Sequence, residues 1–266
     1  MAKKASSRTS VDVDLALNGN LGKVFSQKGI ELTQVKALMN RGVTLDDLTR
    51  IATSSGKKGI EIVDSLTSIK GVSQQSAVKV AKLAQDLGKL DMIHGLVRSG
   101  NLENPASLGS FLQKVSNDIR NGRTGSLAQV EEAASRVANG RRVALEESFN
   151  PAGKADLIDN TSKEAMQMKV VTSKEASRVA TSVKEAASQL AGKGGKAGQA
   201  NELPPTGYTR VIDVWLQDAS FSKLSRQQLL DLLRKEGVSA SDLTNVDKIQ
   251  IKTQSGTYTF VPGDFK

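Results

Sequence analysis

The chain has 266 residues, with 37 basic and 28 acidic side chains, a net charge of +9 and 3% aromatic residues. The absence of Cys excludes disulfides, thiolate zinc sites, iron–sulfur clusters and Cys nucleophiles, and a single His argues against a Ser-His-Asp triad or a multi-histidine metal site. A catalytic metal would have to sit on carboxylate and amide oxygens, which selects Mg²⁺, Mn²⁺ or Ca²⁺, and the basic balance points to a polyanionic partner.

No run approaches the roughly 20 apolar residues needed to span a bilayer. Residues 1–10 are basic at the front with no apolar core behind, so they read as a polar leader and not as a secretory signal. From about residue 11 to 120 the pattern is helical. Leu32, Val35, Leu38 and Met39 form a stripe that Gly42 closes. Thr44 caps a helix over 45–52, with Asp47 at the capping-box position. Further helices are predicted over 60–69, 73–87, 90–99 and 106–119, separated at Gly71, Gly88 and Gly100-Asn101. Their short connections imply antiparallel hairpins of a helical bundle.

Within the bundle, the stretch from Leu66 to Val80 resembles a helix-hairpin-helix element. That motif aims the backbone N–H groups of a Gly-rich turn at a DNA phosphate. Here Ser73 stands where a second Gly is expected, and a simple interhelical turn accounts for the same residues.

After residue 120 the texture changes. Residues 121–125 form a Gly-containing hinge, and a short helix over 126–139 follows. Strands are predicted over 142–149, 155–159, 165–171 and 208–216, with a hairpin over 248–261. Helices over 174–191 and 225–236 alternate with them, and residues 192–198 form a Gly/Lys-rich loop. The predicted fold is therefore α+β overall: a helical N-terminal domain, 1–121, then a mixed-sheet α/β domain, 122–266.

The chemistry concentrates in two adjacent strands. Side chains alternate between faces of a strand, so Gln167 and Lys169 share one face while Met166, Met168 and Val170 take the other. An amide and an ammonium on an apolar strand are costly to bury without partners. Asp156, on the strand before, can supply one. A carboxylate beside an amide oxygen can hold a hard divalent cation, and a neighbouring Lys can orient water or neutralise charge on a pentavalent phosphate. Asp159 is out of phase with Asp156 and reads as structural. His94, among Met92, Ile93 and Leu96, reads as a packed or surface His, and Trp215 as core. The Walker spacing of a phosphate loop is absent around 192–198.

The pattern Asp156, then Gln167-x-Lys169 on the next strand, resembles the PD-(D/E)XK nuclease superfamily, with Gln167 in place of the usual Glu. The resemblance covers residues 122–191 best and implies a restriction-endonuclease-like sheet. It implies metal-dependent hydrolysis of phosphodiesters, with Asp156 and Gln167 holding Mg²⁺ or Mn²⁺ and Lys169 as the catalytic ammonium. It further implies a Glu on the preceding helix. Glu131 flanks the apolar stripe Leu127, Val130, Ala134 and Val137, whereas Glu132 is expected to point into solvent, so Glu131 is the predicted third metal ligand. Glu147, on the strand between, is a further catalytic candidate that some branches of the superfamily use.

A helical segment followed by a small nuclease also resembles the C-terminal toxin regions of contact-dependent growth inhibition and related polymorphic toxins. The stretch from Leu96 to Leu102 is similar to segments of such proteins. That likeness implies delivery by a larger carrier, action on tRNA or DNA in the cytoplasm of a target bacterial cell, and an acidic cognate immunity protein. It makes Lys193 to Lys196 a candidate contact for substrate or inhibitor. The rival expectation is a non-catalytic DNA-binding or structural protein built on the turn at Gly71.

Overall fold

A computed structural model describes residues 19–149, 153–191 and 207–266. The polar leader and the Lys193–Lys196 loop lie outside the described residues. The chain divides into two compact units, one of Met1–Gly100 with Asn104–Asn117, the other of Asn101–Glu103 with Asp118–Lys266.

The first unit is helical: α1 (Asn20–Gln27), α2 (Leu32–Asn40), α3 (Leu45–Thr67), α4 (Gln74–Asp86), α5 (Leu90–Arg98) and most of α6 (Leu108–Arg120). The expected punctuation is present. Thr44 Oγ1 accepts the Asp47 amide at 3.1 Å, and Ser73 Oγ accepts the Ser76 amide at 3.1 Å. Leu38, Leu48, Ile60, Leu66 and Ile93 are fully buried, each removing enough apolar surface from water to contribute about 1.5–3 kcal/mol.

The helices predicted over 45–52 and 60–69 are instead one 23-residue element, kinked at Gly56 (φ 59°, ψ −151°). That backbone conformation is open essentially to Gly alone. The kink brings Ile51 and Ser55 against Gly59, where a Cβ would meet their side-chain carbons at 2.7 and 2.5 Å. A Cβ at Gly56 itself would meet nothing within 4 Å. Gly56→Ala is therefore expected to cost about 1–3 kcal/mol from backbone strain alone, measured as a lowered urea midpoint; an unchanged midpoint would mean the helix straightens freely.

The second unit opens with α7 (Gly125–Ala138) and continues through β1 (Val143–Phe149), β2 (Gly153–Asp159), β3 (Glu164–Val171), α8 (Ala176–Leu190), β4 (Thr209–Leu216), α9 (Arg226–Lys235), β5 (Lys248–Thr253) and β6 (Gly256–Phe260). The strands form one six-stranded mixed sheet in sequence order. β3, β4 and β5 run parallel, joined through α8 and α9, and the other neighbouring strands pair antiparallel. Residues 101–103 add a short parallel contact to β1, with Glu103 N donating to Val143 O at 2.8 Å. An N-terminal helical region followed by a mixed sheet with helices is thus the architecture, as predicted.

Alternation sorts the sheet into two faces. On one, Val171, Ile212, Val214, Leu216, Ile249 and Ile251 pack against α8 and α9 in the main core. Gln167 and Lys169 belong to this face. On the other, α7 lies across the sheet's first strands, and its Arg136 reaches Glu164 at 2.7 Å. α9 begins with a complete capping box between Ser225 and Gln228.

Candidate functional site

The β2–β3 ladder pairs Asp159 with Glu164, Ile158 with Ala165 and Leu157 with Met166. One residue further along, the Asp156 side chain enters the seam. Its Oδ2 accepts the Met168 amide at 2.8 Å and the Gln167 Nε2 at 2.7 Å. The strand pattern that brings β2 to β3 therefore also brings Asp156 to Gln167. Lys169, two residues along the same face, has its Nζ 3.8 Å from Glu185 Oε2 on α8.

Gln167 is buried, and its Oε1 has no hydrogen-bond partner among the described residues. An orphaned carbonyl oxygen in a dry site is costly and marks a place where a donor or a cation belongs. A carboxylate and an amide oxygen from adjacent strands suit Mg²⁺ or Mn²⁺, which take oxygen ligands and, for Mg²⁺, retain several waters. No cluster of three or more acidic or His side chains suited to a metal occurs among the described residues. A cation held by these two oxygens alone would take most of its shell from water and substrate phosphate.

Two expected members do not join this group. Glu131 lies on α7, which packs on the opposite face of the sheet, where its neighbours Glu132 and Arg136 reach Lys252 and Glu164. A sheet's thickness thus separates that helix from Gln167 and Lys169, so Glu131 is not the third ligand of their site. Glu147 pairs with Ala155, one position out of register with Asp156; its side chain lies outside what is described.

Glu132 also departs from expectation. Its side chain is only 12% exposed and is held by Arg136 Nε at 2.8 Å and Lys252 Nζ at 2.6 Å. Arg136 is the centre of a charged layer between α7 and the sheet, donating to Glu132, Asp159 (2.6 Å) and Glu164 (2.7 Å). Lys248 bonds Glu164, and Lys252 bonds Asp213 at 2.9 Å. Trp215, expected as core, is half-buried, donating Nε1 to Asp213 Oδ2 at 2.8 Å beneath the Lys252 ammonium. The signal for this layer was present in the sequence as Glu132 and Arg136 at i, i+4, and as Asp213 inside an apolar strand.

Burial opposes ionisation of Glu132, Asp159 and Glu164. Ion pairs with Arg136, Lys248 and Lys252, and for Asp159 the Ser162 amide and Arg141, outweigh it and hold all three below the ordinary carboxylate range. Asp213 goes the other way: complete burial pushes its carboxyl up despite Lys252 and Trp215. The three lowered groups contribute stability that is present above their unfolded values near pH ~4 and is lost as pH falls through the folded ones. Asp213 contributes with the opposite sign, stability present below its unfolded value and lost as pH rises. The urea midpoint is therefore expected to fall on acidification below about pH 4. Asp213→Asn should gain on the wild type as pH rises from that value. A variant difference that does not change with pH would contradict the assignment.

In the helical unit, His94 Nε2 lies 2.6 Å from Glu61 Oε2 and is mostly buried, so it is a packed His with a carboxylate partner. At the turn resembling a helix-hairpin-helix, the Ser73 hydroxyl already takes the Ser76 amide. One of the N–H groups at that helix start is thereby occupied.

No protein-family model, curated protein or solved structure matches the chain.

Proposed function

We propose that the C-terminal unit is a metal-dependent nuclease of the PD-(D/E)XK kind, hydrolysing phosphodiester bonds of tRNA or DNA. The observation that carries this reading is the Asp156–Gln167 contact, with the buried Oε1 of Gln167 lacking a partner among the described residues and Lys169 on the same face. Asp156 and Gln167 would hold Mg²⁺ or Mn²⁺. When bound, the cation supplies Lewis-acid polarisation of the phosphate and a more acidic water.

The chain's own residues do the positioning. Asp156 is fixed by the Met168 amide, so its carboxylate is locked to the strand backbone and needs no reordering when substrate arrives. Lys169 is mostly buried, on the same face of β3 as Gln167, with its ammonium 3.8 Å from Glu185 Oε2, and in this reading it supplies the positive charge at the site. There the ammonium orients the attacking water or stabilises the charge that accumulates on the phosphorus oxygens. Water oxygen bonds to phosphorus, the bond to the leaving oxygen breaks, and the leaving oxygen takes up a proton.

The biological setting proposed is a toxin region carried by a larger protein, acting in the cytoplasm of a target bacterial cell and neutralised by an acidic immunity protein. No helix among the described residues is long and apolar enough to cross a membrane. The test of the activity is incubation of total tRNA and plasmid DNA with Mg²⁺, with Mn²⁺ and with EDTA. Loss of one substrate only with metal supports the reading. Intact substrates throughout, with protein that unfolds cooperatively, would sink it.

A further inference from the structure

Among the described residues, the face of the sheet opposite Gln167 and Lys169 is covered by α7 over its first strands. Beyond α7, β5 and β6 present Gln250, Lys252, Thr257 and Thr259, with Thr257 and Thr259 exposed. Between the helix wall and this open half lies a cleft of about 300 Å³, whose lining includes Ser135, Arg141, Gln250, Lys252 and Thr257.

The charges around this cleft are layered. The carboxylates of this charged layer are hardly accessible: Asp159 and Asp213 are at 0% exposure, Glu164 at 10% and Glu132, which lines the cleft, at 12%. Among the cations, Arg136 is as deep as the acids, at 9%, whereas Lys252 is at 22%, Lys248 at 26% and Arg141 at 41%. Each carboxylate is turned inward onto a cation, so the surface offered to a ligand is positive even though the whole layer is nearly neutral. Screening of the sunken charges by their partners leaves the outermost cation, Arg141, dominant at the mouth.

The lining also offers donors. Arg141 uses only Nη1, on Asp159 Oδ2 at 3.1 Å and Ser162 Oγ at 3.5 Å, leaving its Nε and Nη2 hydrogens without partners among the described residues. The side chains of Gln250 and Thr257 make no hydrogen bond among the described residues. A guanidinium, an amide and a hydroxyl line one cleft whose carboxylate, Glu132, is already held by Arg136 and Lys252, and together they describe a site for phosphate oxygens.

We propose that this cleft docks the sugar–phosphate backbone of a nucleic acid, on the face of the sheet opposite the proposed catalytic pair. The choice of nucleic acid as occupant rests on the nuclease reading; the anion-binding character rests on the cleft itself. The cleft supplies affinity and register and takes no part in the chemistry, and a folded or duplex substrate reaches it around the sheet. Binding here is sequence-independent and salt-sensitive.

The test uses the full chain in EDTA with labelled tRNA and a labelled short DNA duplex, titrated over a series of salt concentrations. Arg141→Ala removes a phosphate contact, and Thr257→Glu adds a negative charge at an exposed position outside the buried pairs. Each is expected to weaken binding by about tenfold at low salt, and Arg141→Ala to reduce the slope of log K against log salt by about one. Thermal midpoints of the two cleft variants are measured alongside; Thr257→Glu guards against Arg141→Ala acting through Asp159. Wild-type binding and salt slope in both cleft variants overturn the inference, as does failure of the wild type to bind. Weakened binding by the cleft variants without metal-dependent cleavage by the wild type would uphold the cleft and overturn the nuclease reading. Metal-dependent cleavage with unaltered binding by the cleft variants would do the reverse.

Discussion

Arg136→Leu is expected to cost about 3–5 kcal/mol, the range for removing one partner of a buried ion pair. The wild-type guanidinium touches three carboxylates, none more than 12% exposed. Removing it leaves each acid with a second partner: Lys252 for Glu132, Lys248 for Glu164, and Arg141 with the Thr161 and Ser162 amides for Asp159. Those partners hold the loss near the lower end of the range. Urea unfolding of the variant beside Arg142→Ala, whose side chain is 69% exposed in its pair with Glu103, gives the comparison. The exposed pair is expected to be worth no more than about 1 kcal/mol. Equal losses for the two variants would mean that the charged layer beneath α7 is not formed.

The second large effect is on chemistry. Asp156→Asn keeps an oxygen able to accept the Met168 amide, so the β2–β3 seam should hold and the unfolding midpoint should move little. It removes the negative charge that a divalent cation requires at this position. Cleavage is expected to fall by at least about a hundredfold, the scale on which loss of a preorganised electrostatic group acts. A stable variant that still cleaves within a few-fold of the wild type would remove Asp156 from the site. A variant that fails to fold would show that the carboxylate is needed for the seam, and the cleavage comparison then passes to Lys169.

Most of the second unit's elements were legible because each carries a local signal that tertiary contacts reinforce. β3 and β4 begin and end within a residue of the predicted limits, since their apolar alternation is bounded by polar turns on both sides. The helix starts at Leu45 and Arg226 were readable from Thr44 and Ser225, whose hydroxyls do accept the N3 amides. The Asp156–Gln167 contact was legible too, because period-two alternation fixes which residues of neighbouring strands can meet.

What escaped the sequence was the phase of α7. Val130 and Val137 of the expected stripe are buried, but Leu127 and Ala134 are only partly so; Gln129, Ala133 and Arg136 share the buried face, and Glu132 is held to the sheet. Apolar periodicity misleads when the surface beneath a helix carries carboxylates, because charged side chains then face inward to meet them. Asp213 is the same effect on a strand: an acid between Ile212 and Val214 signals a buried partner, and alternation offers Trp215, but nothing local names Lys252 of β5. The helices expected over 45–52 and 60–69 leave out the polar run between them, which contains Gly56. Here one residue at φ 59° turns the axis, and the helix resumes.

The measurement that bears most directly on the central claim is cleavage of total tRNA and plasmid DNA by the wild type and by Lys169→Ala, each with Mg²⁺, Mn²⁺ or EDTA. The account predicts metal-dependent loss of one substrate with the wild type, none in EDTA, and none above background with the variant at any metal. Cleavage by Lys169→Ala equal to the wild type would contradict it, as would intact substrates from wild-type protein that unfolds cooperatively.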